Sequence, residues 1–290
     1  MEENMSAVVR KISVVILALT LSLAAIGCGE EELTQEEIEK VVDNAAAANA
    51  EVDTLRFDMD MLMTTEVIAK GETNEITIVT DGAGAIDRAN REMQFTMNIT
   101  TDMPGKDEQM SVEFYAVAGW MYTKVDIPVI GEQWMKMRST MEMWEAQSQI
   151  DQQVELLQTA TEVNLLGSEY ISGTECYVVE LVVSAEAFDK LLSQQQIPGM
   201  EDINLGELDL ADLFREMSVK DWIAKDSYLL MKSEIHMLME FTSSDLGVPK
   251  ADLEKMTMDM NLEARFYNHN QAVSIELPEE ALQAQEIPRS

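Results

Sequence analysis

Histidine, cysteine and basic residues are scarce in this chain, and each scarcity removes a class of function. Only two histidines, His236 and His269, occur among 290 residues. They stand in separate segments with no H-x-x-x-H spacing, so a histidine metal centre is not expected and neither a metal nor a cofactor is assigned. The sequence contains no G-x-S-x-G, no glycine-rich phosphate loop and no Cys-x-x-Cys. With no recognisable catalytic constellation, the chain reads as a non-enzyme. Lysine and arginine together number 20 against 54 aspartates and glutamates, a net charge of −34. Nucleic-acid binding requires clustered cations, so this balance argues against a nucleic-acid partner.

Long apolar runs are missing too, with one exception at the amino end. Arg10 and Lys11 precede an uncharged stretch, Ile12 to Ile26, made mostly of Ile, Val, Leu and Ala. It is short for a transmembrane helix, which needs roughly 20 apolar residues, and has the form of a signal-peptide hydrophobic region. The stretch ends in Ala25-Ile26-Gly27-Cys28, followed by Gly29 and the acidic run Glu30-Glu31-Glu32. Small residues ahead of a cysteine at this place resemble the lipobox of bacterial lipoproteins. The resemblance implies cleavage before Cys28 and lipidation of its thiol. Removing residues 1–27 takes away Glu2, Glu3, Arg10 and Lys11, so the mature chain is still at −34. Such a body has no electrostatic pull toward anionic lipid, and the membrane is met only through the acyl anchor. The expected location is therefore extracytoplasmic, lipid-anchored to the outer face of the cell membrane or to the envelope. Cys176 is left without a partner and is expected to pack as a small apolar side chain in a strand. The glutamate run makes a poor calcium cage because a flexible spacer cannot preorganise its ligands.

Six prolines and 13 glycines are scattered through the rest without forming a linker, so the expected organisation is a signal peptide over 1–27, a short acidic tether over 28–33 and one domain over 34–290. From Cys28 to Thr34 the tether spans at most ~20 Å. A helix follows, with Thr34 and Glu37 in a capping-box pattern and Ile38, Val41, Val42, Ala45 and Ala48 at helical spacing. The period then changes to two. Leu55, Phe57, Met59, Met61 and Met63 alternate with Arg56, Asp58 and Asp60, the mark of a strand with one dry face and one wet face. Asp58 and Asp60 fall on the wet side. The same alternation returns in Met93, Phe95, Met97 and Ile99, and in Met256, Met258, Met260, Leu262, Ala264 and Phe266. Further strands are expected at 75–86, 110–117, 120–125, 134–137, 163–172, 176–183, 219–225, 228–241 and 272–276, separated by turn signals such as Pro104-Gly105 and Ser172-Gly173. Helical patterns interrupt them after Ser139, over Ala185–Gln195, and in a stripe of Leu210, Leu213, Phe214 and Met217. The fold class is α+β, a large curved antiparallel sheet with helices packed on its concave face.

Four local patterns resemble the LolA/LppX-type lipoprotein superfamily. They are Gly119-Trp120-Met121-Tyr122-Thr123-Lys124 with Gln133-Trp134-Met135-Lys136; Leu166-Gly167-Ser168-Glu169 through Gly173-Thr174-Glu175-Cys176-Tyr177; Val219-Lys220-Asp221-Trp222-Ile223-Ala224-Lys225-Asp226-Ser227-Tyr228-Leu229; and Phe266-Tyr267-Asn268 through Val273-Ser274-Ile275-Glu276-Leu277-Pro278-Glu279. Together they span most of residues 110–280, while the amino-terminal half agrees in pattern only. The resemblance implies that 34–290 is a half-barrel of antiparallel strands closed by helices, and that it binds lipid or lipoprotein. Trp120, Trp134 and Trp222 are then expected between sheet and helices.

Methionine is the abundant residue with functional meaning. The chain has 22, many on the dry side of strands. An unbranched, polarizable side chain suits an apolar surface that adapts to varied partners, although it also serves as ordinary core filling. The candidate lining of an apolar ligand cavity is Met59, Met61, Met63, Phe95, Met97, Met237, Met239, Met258 and Met260. Two functions fit. One is a membrane-anchored, non-catalytic binder or carrier of lipid or another apolar ligand. The other is a surface lipoprotein acting as a sensor or protein-interaction domain whose core is filled by its own side chains.

Overall fold

The computed structural model describes residues 33–127, 131–141, 144, 149–183, 213–245, 249 and 253–287. The signal peptide, Cys28, the expected helix over 185–195 and Leu210 lie outside them.

Helix α1, Gln35–Ala50, buries Ile38, Val41, Val42, Ala45, Ala46 and Asn49, the single face that its helical spacing dictates. Arg88 holds its C-terminal end, donating from Nη1 to Ala50 O at 2.8 Å and, just past the helix, to Val52 O at 3.0 Å. Asn49 ties the helix to the sheet. Its Nδ2 donates to Ala45 O at 2.7 Å and Tyr228 O at 3.2 Å, and its Oδ1 accepts from Leu230 N at 3.0 Å. A second helix, α2, covers Gln149–Thr159 and packs against α1.

Twelve strands form one sheet: β1 Thr54–Ala69, β2 Glu72–Asp87, β3 Glu92–Met103, β4 Lys106–Val117, β5 Trp120–Ile127, β6 Gly131–Arg138, β7 Ala160–Ile171, β8 Thr174–Val183, β9 Phe214–Ala224, β10 Leu230–Thr242, β11 Lys255–Tyr267 and β12 Gln285–Glu286. Their order is β12-β6-β5-β4-β3-β2-β1-β11-β10-β9-β8-β7. Two antiparallel meanders, β1–β6 and β7–β11, are thus stitched together where β11 returns beside β1. Only the two-residue β12 runs parallel to its neighbour, β6. The sheet stays open, with β7 and β12 as its edges. Short turns with left-handed backbone link the hairpins, as at Lys70-Gly71, Ala118-Gly119 and Ser172-Gly173.

Three expectations are corrected. Residues 272–276 do not pair as a strand. The chain passes unpaired to a 3-10 turn, Glu279–Gln283, whose Ala281 packs on Tyr122. Phe214 and Met217 belong to β9 and not to a helix. Their three-residue spacing comes from a bulge, because Leu238 pairs with Glu216 and Met239 with Phe214, leaving Arg215 as the extra residue. One inserted residue flips the parity, so an i, i+3 pair lands on one side of a strand. The tryptophans lie on the sheet face opposite the helices. Trp222 pairs laterally with Val178 and is buried at 5% exposure, with Nε1 donating to Glu169 Oε2 at 2.8 Å and Lys232 Nζ 4.5 Å from the ring centroid. Trp120 and Trp134 are half-buried on that same parity, among Tyr115, Tyr122 and Leu277. Cys176 is a free, fully buried thiol in β8 beside Trp222, as its reading as a small apolar side chain requires.

Candidate apolar ligand face

Alternation along each strand, combined with the pairing register, brings all nine candidate residues onto one face of the sheet. The row nearest the helices reads Phe266, Phe57, Gly84, Phe95, Phe114 across β11-β1-β2-β3-β4. The next reads Asp221, Ser233, Ala264, Met59, Gly82, Met97 from β9 to β3. Then come Val219, Ile235, Leu262, Met61, Thr80, Ile99, followed by Met217, Met237, Met260, Met63, Ile78, Thr101. Met239, Met258, Thr65 and Ile76 make the next row, and Phe241, Met256, Val67 and Asn74 the one beyond it.

Burial grades along this inner face. Leu55, Phe57, Ile86, Met93 and Phe266, beside α1, are all at 2% exposure or below. Farther along the strands Met59, Met61, Met63, Phe95, Met97, Met239, Met258 and Met260 are half-buried, while Met237 is closed off at 4%. One glycine shapes the boundary. A Cβ on Gly84 would stand 2.4 Å from Phe57 Cζ, so the Phe57 ring lies directly on that backbone. Phe95 stacks on Phe114 at 4.8 Å with an interplanar angle of 18°.

The candidate lining did not include Met217, Ile235, Leu262 and Ile78, which complete the rows. It also passed over Asp221. Counting by twos from Val219 places Asp221 on the inner face, and there it is fully buried. Its lateral neighbour Ser233 donates its hydroxyl to Gln153 Oε1 of α2 at 3.1 Å. Neither Asp221 oxygen has a hydrogen-bond partner among the described residues. Burial pushes this carboxyl up to about 7.

A groove of about 460 Å³ lies across β2, β1, β11, β10 and β9. Of the nine candidates only Met61 touches it, and most of its lining, including Asp60, Leu62, Val79, Lys220 and His236, belongs to the outer, polar parity. His236 Nε2 stands 3.3 Å from Asp259 Oδ1 at its margin. His269, in the loop after β11, is held below the usual histidine range by burial. Among the described residues no group of three His, Cys, Asp or Glu side chains is placed to hold a metal ion.

A model of a family of unknown function, DUF6612, matches residues 37–286. No curated protein matches the sequence. In structure the chain is similar to the Mycobacterium tuberculosis lipoprotein LppX, with 14% identity and a TM-score of 0.39 over 84% of this chain and 100% of that one. It is also similar to LprF of Mycobacterium bovis, at 14% identity and a TM-score of 0.40, covering 84% of this chain and 97% of LprF. A DUF1329 family protein of Desulfovibrio piger shares 11% identity at a TM-score of 0.27, over 85% and 99% of the two chains.

Proposed function

We propose that this chain, which belongs to the DUF6612 family of unknown function, is a lipoprotein anchored through Cys28 on the extracytoplasmic side of a membrane, where it binds an apolar ligand without catalysis. The supporting observation is the half-buried methionine face. Eight of the nine candidate side chains are neither sealed into the core nor fully exposed. They lie on four strands, β10, β11, β1 and β3, and with Gly84, Gly82 and Ile78 of the intervening β2 they offer a largely apolar surface. An acyl chain or apolar peptide laid on that surface removes both partners' hydrocarbon from water, at ~25 cal/mol per Å². Methionine accommodates chains of differing shape because its three torsions rearrange cheaply.

Two measurements test this reading. In cells, the protein should fractionate with membranes and resist high salt, and Cys28→Ser should release it. Continued membrane association of Cys28→Ser in high salt would remove the anchor from the account. For the ligand, the Cys28→Ser form is examined by mass spectrometry for co-purifying lipid and titrated with a fluorescent fatty acid. Saturable binding that Met97→Asp or Met258→Asp weakens in a still-folded protein supports the carrier, because a charge on the face cannot be solvated by an alkyl chain. Met→Leu at the same positions nearly conserves volume and leaves stability within ~1.5 kcal/mol. Absence of both bound lipid and titratable binding favours the interaction-domain reading, for which the closed Met237 and Phe241, at 4% and 2% exposure, are the structural argument.

A further inference from the structure

The long strands give the sheet two distinct ends. The upper end carries the β2–β3, β4–β5, β7–β8 and β9–β10 turns and the C-terminus of α1, where Asn49 bonds to Tyr228 O and Leu230 N. The lower end carries the β1–β2 turn at Lys70-Gly71 and the β3–β4 turn at Pro104-Gly105. β1 has 16 residues, so the two ends stand ~50 Å apart at ~3.3 Å per residue.

Helix α1 starts part-way along this length. Gln35, its first residue, donates from Nε2 to Val163 O at 3.2 Å. Val163 belongs to the lateral row Val163, Leu181, Val219, Ile235, Leu262, Met61. From that level the helix runs upward to Asn49, a rise of ~20 Å. The rows below it carry Met63, Met237 and Met260, then Met239 and Met258. The chain leading into α1 therefore arrives at the top of the methionine rows, and the helix leaves in the opposite direction.

That leading chain is short. Cys28 precedes Gln35 by seven residues, ~25 Å at full stretch. Upward, β7 runs from the Val163 level to Ile171, a distance of ~26 Å. An acyl group on Cys28 reaches the upper end only if the whole tether is straightened and doubled back beside α1, which forfeits all of its backbone entropy. Downward, β7 starts at Ala160, only ~10 Å from the same level. A slack tether is enough there.

We propose that the tether docks this protein on the phospholipid bilayer by its lower end, the end of the β1–β2 and β3–β4 turns, which puts the methionine rows between the bilayer and the closed core. The proposal rests on the Cys28 anchor of the proposed function and not on any ligand. With a net charge of −34 the body has no electrostatic pull of its own toward lipid, so tether length decides which end faces down. An apolar molecule leaving the bilayer then meets the methionine rows before any other part of the inner face.

The experiment measures energy transfer from single labels on the lipidated full chain to a headgroup-labelled acceptor lipid in phosphatidylcholine vesicles. Cys28 is consumed by its lipid and Cys176 is fully buried, so an added surface cysteine takes the dye. Glu72→Cys and Pro104→Cys mark the lower end, and Ala89→Cys and Asp226→Cys the upper; all four positions are exposed. Transfer should be several-fold stronger from both lower labels than from both upper ones. Two labels at each end keep the comparison valid if one variant misfolds. Inserting a Gly/Ser segment of about 20 residues between Glu32 and Leu33 adds ~25 Å of reach and should level the four signals. Equal transfer from all four labels with the parent tether, or stronger transfer from the upper pair, overturns the orientation while leaving the anchor standing. A gradient that survives the insertion overturns the tether as its cause. A parent chain that does not attach to the vesicles at all overturns the anchor and the orientation together.

Discussion

Asp221→Asn should make the protein more stable, and more so as pH rises. The carboxyl is fully buried between Val179 and Ser233, and burial lifts it from its ordinary 3.8 to about 7. Below pH 3.8 the group is neutral whether the chain is folded or not, so it costs nothing. Between there and about 7 the unfolded chain releases the proton while the folded chain retains it. Stability therefore falls as pH rises through this interval, and the loss is complete above it. Each pKa unit is worth about 1.4 kcal/mol, so the full interval corresponds to a penalty of about 4 kcal/mol. Asparagine keeps the shape and carries no charge. Its amide must find acceptors, with Ser233 as its lateral neighbour, and an unmet donor takes back about 1–3 kcal/mol. The expected gain at pH 7.5 is thus about 1–3 kcal/mol, shrinking toward zero or below at pH 4.5. Urea unfolding of both proteins at pH 4.5, 6 and 7.5 measures it. The lowered carboxyls of Glu240, Asp245 and Glu263 titrate in both proteins and cancel in the difference. A gap that stays constant across the three pH values would refute the reasoning, since it would mean that Asp221 ionises freely in the folded state.

Gly84→Ala would place a methyl 2.4 Å from Phe57 Cζ and 2.7 Å from the Gln94 carbonyl oxygen. Overpacking of this kind costs about 1–3 kcal/mol, visible as a lower thermal midpoint, whereas Gly71→Ala meets no neighbour and should owe any loss to its positive φ of 75°. Asn49→Ala strips the partner from the buried Leu230 N–H and releases α1 from the β9–β10 turn, so unfolding by urea should show a loss of about 2–3 kcal/mol. Trp222→Ala removes a buried ring and its bond to Glu169, with an expected cost of about 3–5 kcal/mol; an unchanged melting temperature would contradict the packing described.

The strands were legible where one face is dry and the other wet. Leu55 to Met63 and Met256 to Phe266 show strict alternation, and the structure pairs those two runs directly as β1 and β11. Legibility failed where a local irregularity imitates another period. The bulge at Arg215 gives Phe214 and Met217 a helical spacing inside a strand. Residues 272–276 have strand-like composition, yet the segment must travel from β11 to the far edge at β6, where β12 pairs, and a crossing segment cannot also join the sheet it leaves. The expectation that the tryptophans lie between sheet and helices follows from the resemblance of their segments, whereas the pairing register puts them on the opposite face. Lys232 over Trp222 and Arg138 over Trp120 cover them on that open face instead.

The methionine rows show why a candidate site can be found by parity and still be read incompletely. Parity assigns a residue to a face but says nothing of how far along the strand the helices reach. That boundary shows in burial, which closes Leu55, Phe57 and Ile86 completely and leaves Met61 and Met63 half-buried. Parity also treats a charged residue as an exception to be placed on the wet side, which is how Asp221 escaped notice despite standing two residues from Val219. A carboxyl kept on the dry face, beside a serine already committed to α2, is a cost that hydrophobic patterning would remove. It stands in the same row as Ser233, Ala264 and Met59, so charge and hydrocarbon share one face of the sheet and the parity of the strand alone, not its polarity, decides where Asp221 lies.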